Sequence, residues 1–286
     1  MSGGPADEVV ADLGDPEGIA VWPRLYLRSA KLARRGPPLA DVERFCFFIG
    51  YARSGHSLVG SLLNAHPSMV ISHELDAIRF IRMGFRRSQI YALILERDDA
   101  FEAAGREWSG YDYTVPGGHQ GDHSHVKVIG DKRGRRTALE LNQRPELLPR
   151  LRRRVGVPIR AIHVTRNPFD NIVTEAGRRN LTLETATRWY ERSCQAVAAT
   201  RPRLDPSELI DVPYEAFAAD PSAVLADLCG FLGVEAPPEY LASCQSVVWP
   251  STKRRRDAVE WTPADIQRVE ALIDRYEFLS HYTFAD

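Results

Sequence analysis

The residues best suited to chemistry begin at Gly50-Tyr51-Ala52-Arg53-Ser54-Gly55-His56-Ser57. An apolar run, Phe45 to Ile49, leads into them, and the helically spaced HSLVGSLLNAH leads out. Strand, glycine loop and helix in that order make an anion site. Successive N–H groups and the positive end of the helix dipole converge, and small residues let a phosphate come close. The spacing G-x-x-x-x-G-x-S is that of a nucleotide phosphate loop. A kinase or ATPase would carry lysine where this chain has His56, and no apolar strand ending in a magnesium-holding aspartate is evident. Arg53 supplies the cation instead. Taken alone, the two glycines could also simply punctuate a strand-to-helix turn. A second constellation follows the strand-like IRAIHVT, where Arg166-Asn167-Pro168-Phe169-Asp170 leads to Thr174. A guanidinium at a strand end and a hydroxyl farther along a helix can clamp one phosphate. Taken alone, Asn167-Pro168 reads as a helix start beside a surface arginine.

The elements that must carry these groups alternate between strand and helix. A leading helix is expected over Trp22–Arg35, ending before Gly36, Pro37 and Pro38. Strands are expected at Phe45–Gly50, Met69–Ser72, Val126–Gly130, Ile159–Thr165 and Leu209–Val212. Helical patterns cover His73–Arg82, Arg87–Ala104, one long stretch downstream of Thr174 through EAGRRNLTLETATRWYERSCQAVAA, and Pro221–Leu232 stopped by Gly233. Residues 105–125, rich in glycine, aromatics and histidine, read as a long loop or irregular hairpin of the kind that covers sites. The expected class is α/β, a three-layer, phosphate-loop domain with a mostly parallel central sheet. Residues 1–40 are expected to form a tail and leading helix, and 41–286 the domain proper.

FFIGYARSGHSLVGSLLNAHP resembles the 5′-phosphosulfate-binding motif of the sulfotransferase superfamily. Arg53, Ser54, Gly55 and Ser57 match it; His56 departs at a usually hydroxylated position but keeps its backbone N–H. Leu58 departs from the tryptophan of the steroid and phenol enzymes, so adenine stacking must come from elsewhere, and the chain looks closer to the carbohydrate and tyrosyl-protein branch. Arg166 to Thr174 is similar to the family's 3′-phosphate motif, R-N-P-x-D-x-x-x-S, with threonine in the final place. DVPYEAFAADPSAVLADLCGFLGV is similar to a segment whose tyrosine, here Tyr214, lies by the nucleotide. Pro250 to Arg256 is somewhat like the basic loop over the 3′-phosphate, which brings in Lys253 and Arg254; an exposed charge run is ordinarily a solvated surface. The resemblance implies 3′-phosphoadenosine 5′-phosphosulfate as donor, 3′,5′-adenosine bisphosphate as product, and no metal. It implies an alcohol, phenol or amine as acceptor.

VISHEL sets His73 and Glu74 at the end of the second strand, which the sequence reading places beside the phosphate loop. In the carbohydrate and tyrosyl-protein branch a glutamate at the matching place is the base, so the resemblance makes Glu74 the first candidate. His73 is the second. Glu74 could instead be only a helix N-terminal carboxylate. The steroid and phenol branch uses a histidine just after a lysine; in Gly130-Asp131-Lys132-Arg133-Gly134 the lysine matches as Lys132 and the histidine is missing. Lys132 is the expected electrostatic stabiliser. His119, Asp122, His123 and His125 have a spacing that could ligate zinc, but a glycine-rich loop without cysteine ligands reads better as solvated or substrate-facing.

With 37 basic and 38 acidic side chains in 286 residues, the chain as a whole is no electrostatic nucleic-acid binder. Cys46, Cys194, Cys229 and Cys244 show no metal or disulfide spacing. The N-terminal MSGGPADEVVADLGDPEG is acidic where a secretory signal would be basic and then apolar, and no apolar run approaches the roughly 20 residues of a membrane span. A soluble, cytoplasmic enzyme is therefore expected, with homo-oligomerisation left open. The rivals are a phosphate-loop kinase and a catalytically idle nucleotide-binding protein of the same fold.

Overall fold

The computed structural model of the chain describes residues 22–37, 39–249 and 254–285. The apolar run before Gly50 becomes β1 (Arg44–Gly50), buried on both faces from Phe45 onward. Side chains alternate across a strand. Phe45, Phe47 and Ile49 therefore enter one core cluster, and Cys46 and Phe48 the other. β1 is the centre of a five-stranded sheet completed by β2 (Met69–His73), β5 (Val128–Lys132), β6 (Ile159–Thr165) and β7 (Leu209–Pro213). A separate two-residue hairpin pairs β3 (Glu107–Trp108) with β4 (Tyr111–Asp112). The main sheet runs in the order β2-β5-β1-β6-β7, and each neighbouring pair is parallel.

On one face lie α2 (His56–Asn64), α10 (Pro221–Leu232) and α11 (Pro238–Val247), contributing Leu62, Leu228 and Tyr240 to the core. On the other lie α4 (Arg87–Ala103), α5 (Gly134–Gln143), α6 (Leu147–Val155) and α8 (Leu183–Thr200), contributing Ile94, Leu141, Leu151 and Val197. α1 (Trp22–Arg35) joins this second core through Leu25, and α3 (Ala77–Arg82) through Ile81. The remaining helices are α7 (Pro168–Arg179), α9 (Tyr214–Ala219) and α12 (Pro263–Arg275). The expected α/β class with a mostly parallel central sheet and helices on both faces is the observed architecture. No described helix is long and apolar enough to cross a membrane.

The main differences from the sequence reading are at β5, at the start of α3, in the long helix after Thr174 and in the neighbour of β2. β5 spans Val128–Lys132 rather than Val126–Gly130, and Asp131 and Lys132 at its end are buried polar residues with partners inside the protein. α3 begins at Ala77, not His73. Glu74 and Asp76 adopt left-handed backbone angles (φ 61° and 71°), and the Asp131 carboxylate accepts hydrogen bonds from Leu75 N and Ala77 N, each at 2.9 Å. The long helix after Thr174 is two: Asn180 ends α7 at φ 53°, and Thr182 caps α8 by accepting from Thr185 N. β2 is not beside β1. β5 stands between them, with His73 in register with Lys132.

Candidate functional site

The C-terminal ends of the five strands open into one cavity of about 810 Å3. Reading along the sheet, its edge carries Glu74 after β2, Arg133 after β5 with Lys132 buried behind the lining, the 50–57 loop after β1, Arg166 after β6 and Tyr214 after β7. This is the crevice where open α/β sheets hold ligands.

The loop is shaped by backbone more than by side chains. Arg53 and Gly55 both take positive φ (67° and 95°), and α2 begins at His56 with no side-chain cap. The first-turn N–H groups of a helix lack intrahelical partners and bear partial positive charge. A Cβ on Gly55 would lie 2.2 Å from the Tyr214 ring, so only glycine lets that ring close the loop from above. Arg53, Gly55, His56 and Ser57 line the cavity. Ser54 does not. Its hydroxyl turns inward to the Tyr51 carbonyl (3.2 Å) and His56 Nδ1 (3.1 Å), so it braces the loop.

Lys132 is 1% exposed, and its Nζ gathers Ser57 Oγ at 2.9 Å, Glu74 Oε1 at 2.8 Å and His73 Nε2 at 3.3 Å. Its stem crosses Gly60 of α2, where a Cβ would come within 2.8 Å of the lysine Cγ. Glu74 faces the cavity; Arg133 donates to its backbone carbonyl at 2.9 Å. Burial alone would raise the Glu74 carboxyl, but Lys132 and Arg133 outweigh it and hold it at about 2. Burial lowers the Lys132 ammonium, with Glu74 opposing. The two groups meet as a salt bridge at 2.8 Å.

His73 is buried under Phe101, Trp108 and Tyr113 and does not line the cavity. Burial, then Lys132 and Arg97, keep its imidazole well below the ordinary 6.5. Burial and Lys132 likewise push His56 down to about 3. A histidine whose folded pKa is depressed contributes stability that is present above the unfolded value of 6.5 and is lost as pH falls below it, because the unfolded chain takes the proton first. His73→Gln should remove that term, so between pH 6.5 and 5 its unfolding free energy should fall less steeply than the wild type's, by up to about 1.4 kcal/mol per pH unit. Urea melts at pH 7, 6 and 5 measure this; parallel slopes for the two proteins would show that His73 titrates normally.

On the other side of the loop, Arg166 and Thr174 line the cavity. Arg166 lies over the Tyr214 ring at 5.8 Å and reaches the Arg53 carbonyl at 3.4 Å, while the Thr174 hydroxyl donates to the Asp170 carbonyl at 2.7 Å. Asn167 caps α7 through Phe169 N, with Pro168 at the first helical position. Asp170 forms a buried pair with Arg256 at 2.8 Å, which anchors the 255–258 turn to α7. Arg254 lies outside the cavity lining, held by Asp257 and the Ala285 carbonyl, and Lys253 falls outside the described residues. The 119–125 histidines also lie away from the cavity, His123 pairing with Asp98 at 3.2 Å. No cluster able to hold a metal occurs among the described residues.

Three features of the lining were not named residue by residue in the sequence, although the 105–125 segment was expected to cover a site. Arg135 and Arg136 were legible only as part of the run Lys132-Arg133-Gly134-Arg135-Arg136 at a strand end. Trp108, Tyr111 and Tyr113 come from the hairpin, whose Ser109-Gly110 turn has positive φ at both residues (53° and 75°). Trp249, 83% exposed beside Val247 and Leu58, gave no periodic signal.

No curated protein matches the chain. Among solved structures, sulfotransferase STF9 from Mycobacterium avium is similar at 13% identity over 89% of this chain and 81% of that one, with a TM-score of 0.51. The sulfotransferase domain from the Synechococcus PCC 7002 olefin synthase is 18% identical, over 85% of this chain and 90% of that one, with a TM-score of 0.46. Mouse sulfotransferase SULT7A1, complexed with PAP, is 13% identical over 86% and 87%, with a TM-score of 0.45. The model of the Sulfotransferase family matches residues 159–238, the stretch that holds β6, the Arg166–Thr174 segment, β7 and Tyr214. Residues 159–238 thus match the Sulfotransferase family model, and the fold of the chain is similar to that of STF9.

Proposed function

We propose that the chain transfers the sulfuryl group of 3′-phosphoadenosine 5′-phosphosulfate to a hydroxyl or amine of a small acceptor, releasing 3′,5′-adenosine bisphosphate. The observation that carries this reading is the pairing of two anion cradles on adjacent strands, the β1 loop and the Arg166–Thr174 edge, within one cavity that also contains Glu74. The loop N–H groups, Arg53 and Ser57 hold the 5′-phosphosulfate; Arg166 and Thr174 hold the 3′-phosphate. Tyr214 packs beside the nucleotide, and Trp249 offers the exposed aromatic face for adenine that Leu58 cannot.

In the transfer, the acceptor oxygen or nitrogen attacks sulfur in line, the bond from sulfur to the bridging phosphate oxygen breaks, and Glu74 takes the acceptor proton. The electron pair of that bond leaves with the phosphate, where Lys132, Ser57 and the loop N–H groups stabilise it. Lys132 thereby couples two events. In the free protein it holds the Glu74 carboxylate; donor charge arriving beside Ser57 competes for the same ammonium and makes Glu74 more basic.

A kinase would need a cation at position 56 and a magnesium ion on the following hydroxyl. His56 is held neutral, and Ser57 Oγ already accepts from the Lys132 ammonium. The chain should accordingly be stabilised far more by 3′,5′-adenosine bisphosphate than by ATP with Mg²⁺, by about 2.7 kcal/mol at a concentration 100-fold above Kd. Thermal melts with each ligand measure this, and equal or reversed shifts would sink the donor assignment.

A further inference from the structure

The donor reading uses the ends of β1, β6 and β7, which leaves the cavity wall at β2 and β5 for the acceptor. That wall is cationic. Arg133, Arg135 and Arg136 line it from the start of α5, facing the hairpin residues Trp108 and Tyr113. Two of them occupy the first turn of α5, where the helix dipole disfavours positive charge and where no acidic residue compensates. Their carboxylate partners are few. Arg133 is engaged with Glu74, and Arg136 pairs with Asp76 at 2.8 Å. Burial, against Arg133 and Arg136, pushes Asp76 up to about 6, so it stays mostly ionised at pH 7 but offers one carboxylate to a wall of three arginines. Among the described residues Arg135 forms no ion pair. Its guanidinium lies 5.1 Å from the Trp189 ring, and Arg179, also lining the cavity, lies 5.3 Å from the same ring. Two guanidinium groups are thus held on one indole, with Glu175 bound to Arg179 at 2.6 Å.

Resting on the donor reading above, we propose that the acceptor is itself an anion: a hydroxyl compound whose carboxylate, phosphate or sulfate group is held by Arg135 and Arg136 while its hydroxyl meets Glu74. Like-charged arginines gathered on an open wall repel one another until an anion arrives, and planar guanidinium groups match carboxylate and phosphate oxygens. A neutral acceptor would leave Arg135 without an anionic partner, so the wall discriminates against it. Leu139 and Trp108 supply the apolar surface between the two ends.

The test uses the full chain saturated with 3′,5′-adenosine bisphosphate, so that the donor half is filled. Inorganic pyrophosphate should then bind the wild type, and its affinity should drop about 10- to 100-fold in the Arg135→Met/Arg136→Met variant, with bisphosphate affinity nearly unchanged. On the same saturated protein, 4-hydroxyphenylacetate should bind at least about 10-fold more tightly than 4-methylphenol, and the variant should lose that preference. Pyrophosphate binding equal in both proteins, or no advantage for the acid over the uncharged phenol, overturns the proposal. If the bisphosphate itself fails to bind, the donor reading falls. Pyrophosphate titrated into the free chain still decides the arginines: binding lost in the variant supports an anion site on this wall, and unchanged binding overturns it.

Discussion

Glu74→Gln is expected to lower turnover by about 10²–10⁴-fold while leaving affinity for 3′,5′-adenosine bisphosphate nearly unchanged. The amide keeps the shape of the side chain and can still accept a hydrogen bond from Lys132 Nζ, which lies 2.8 Å from the carboxylate in the wild type. What it loses is the capacity to take a proton. The left-handed backbone at Glu74 is fixed from outside the side chain, by the Lys132 carbonyl on Glu74 N (3.2 Å), by Arg133 on the Glu74 carbonyl (2.9 Å) and by Asp131 on the neighbouring amides. The substitution should therefore leave the turn in place. The rate profile gives a second readout. With the free carboxyl held at about 2, activity should not fall on this group's account until pH is well below neutrality, unless donor binding raises it by drawing Lys132 away. An acid limb that lies higher in kcat than in kcat/KM would report that rise. Should Glu74→Gln retain near-normal turnover while His73→Ala abolishes it without loss of donor binding, the base is His73, despite its burial.

The parts of this site legible in the sequence are those whose signal is apolar or backbone-based. Phe45 to Ile49 announced β1 because a strand covered on both faces must be apolar throughout, and Gly50 and Gly55 announced the loop because side chains there would block it. Arg166 and Thr174 were read as a guanidinium at a strand end and a hydroxyl farther along the following helix, and Tyr214 was named from the family resemblance. The end of β5 was obscured for the opposite reason. Asp131 and Lys132 look like the start of a polar loop, yet both are buried, one organising the Glu74 turn and the other joining that turn to Ser57. The place of β5 between β2 and β1 is set by tertiary pairing, which leaves no local pattern in the sequence. Ser54 and His73 were chosen for their chemistry, and their neighbours decided otherwise: one hydroxyl satisfies the loop's own carbonyl, and one imidazole is stacked on Phe101. Exposed Trp249 and the α5 arginines obey no period and become visible only when the cavity is assembled.

Lys132→Met should lower turnover by about 10²–10³-fold, the scale of losing one preorganised donor to developing charge. Methionine keeps most of the stem that crosses Gly60, whereas arginine would need room beside that helix that the 2.8 Å approach does not leave. The ammonium is the one group joining Ser57, Glu74 and His73, so its loss acts on both sides of the reaction. The leaving phosphate loses a cation. Glu74 loses the largest of the charges that oppose its burial, so its carboxyl should titrate higher than about 2 and the acid limb of the rate profile should move up. Removing one partner of a buried pair also destabilises the fold, commonly by about 3–5 kcal/mol, because the other charge is left without compensation. Here Arg133 remains near Glu74, so the loss should fall below that range. Lys132→Met/Glu74→Gln should recover much of the stability without recovering activity. Comparison with Glu74→Gln alone separates the two roles: a lysine needed only for folding would give a double variant that turns over as fast as Glu74→Gln, a lysine that also stabilises the leaving group would make it slower still, and a lysine with no part in either would leave turnover, acid limb and stability of the single Lys132→Met variant unchanged.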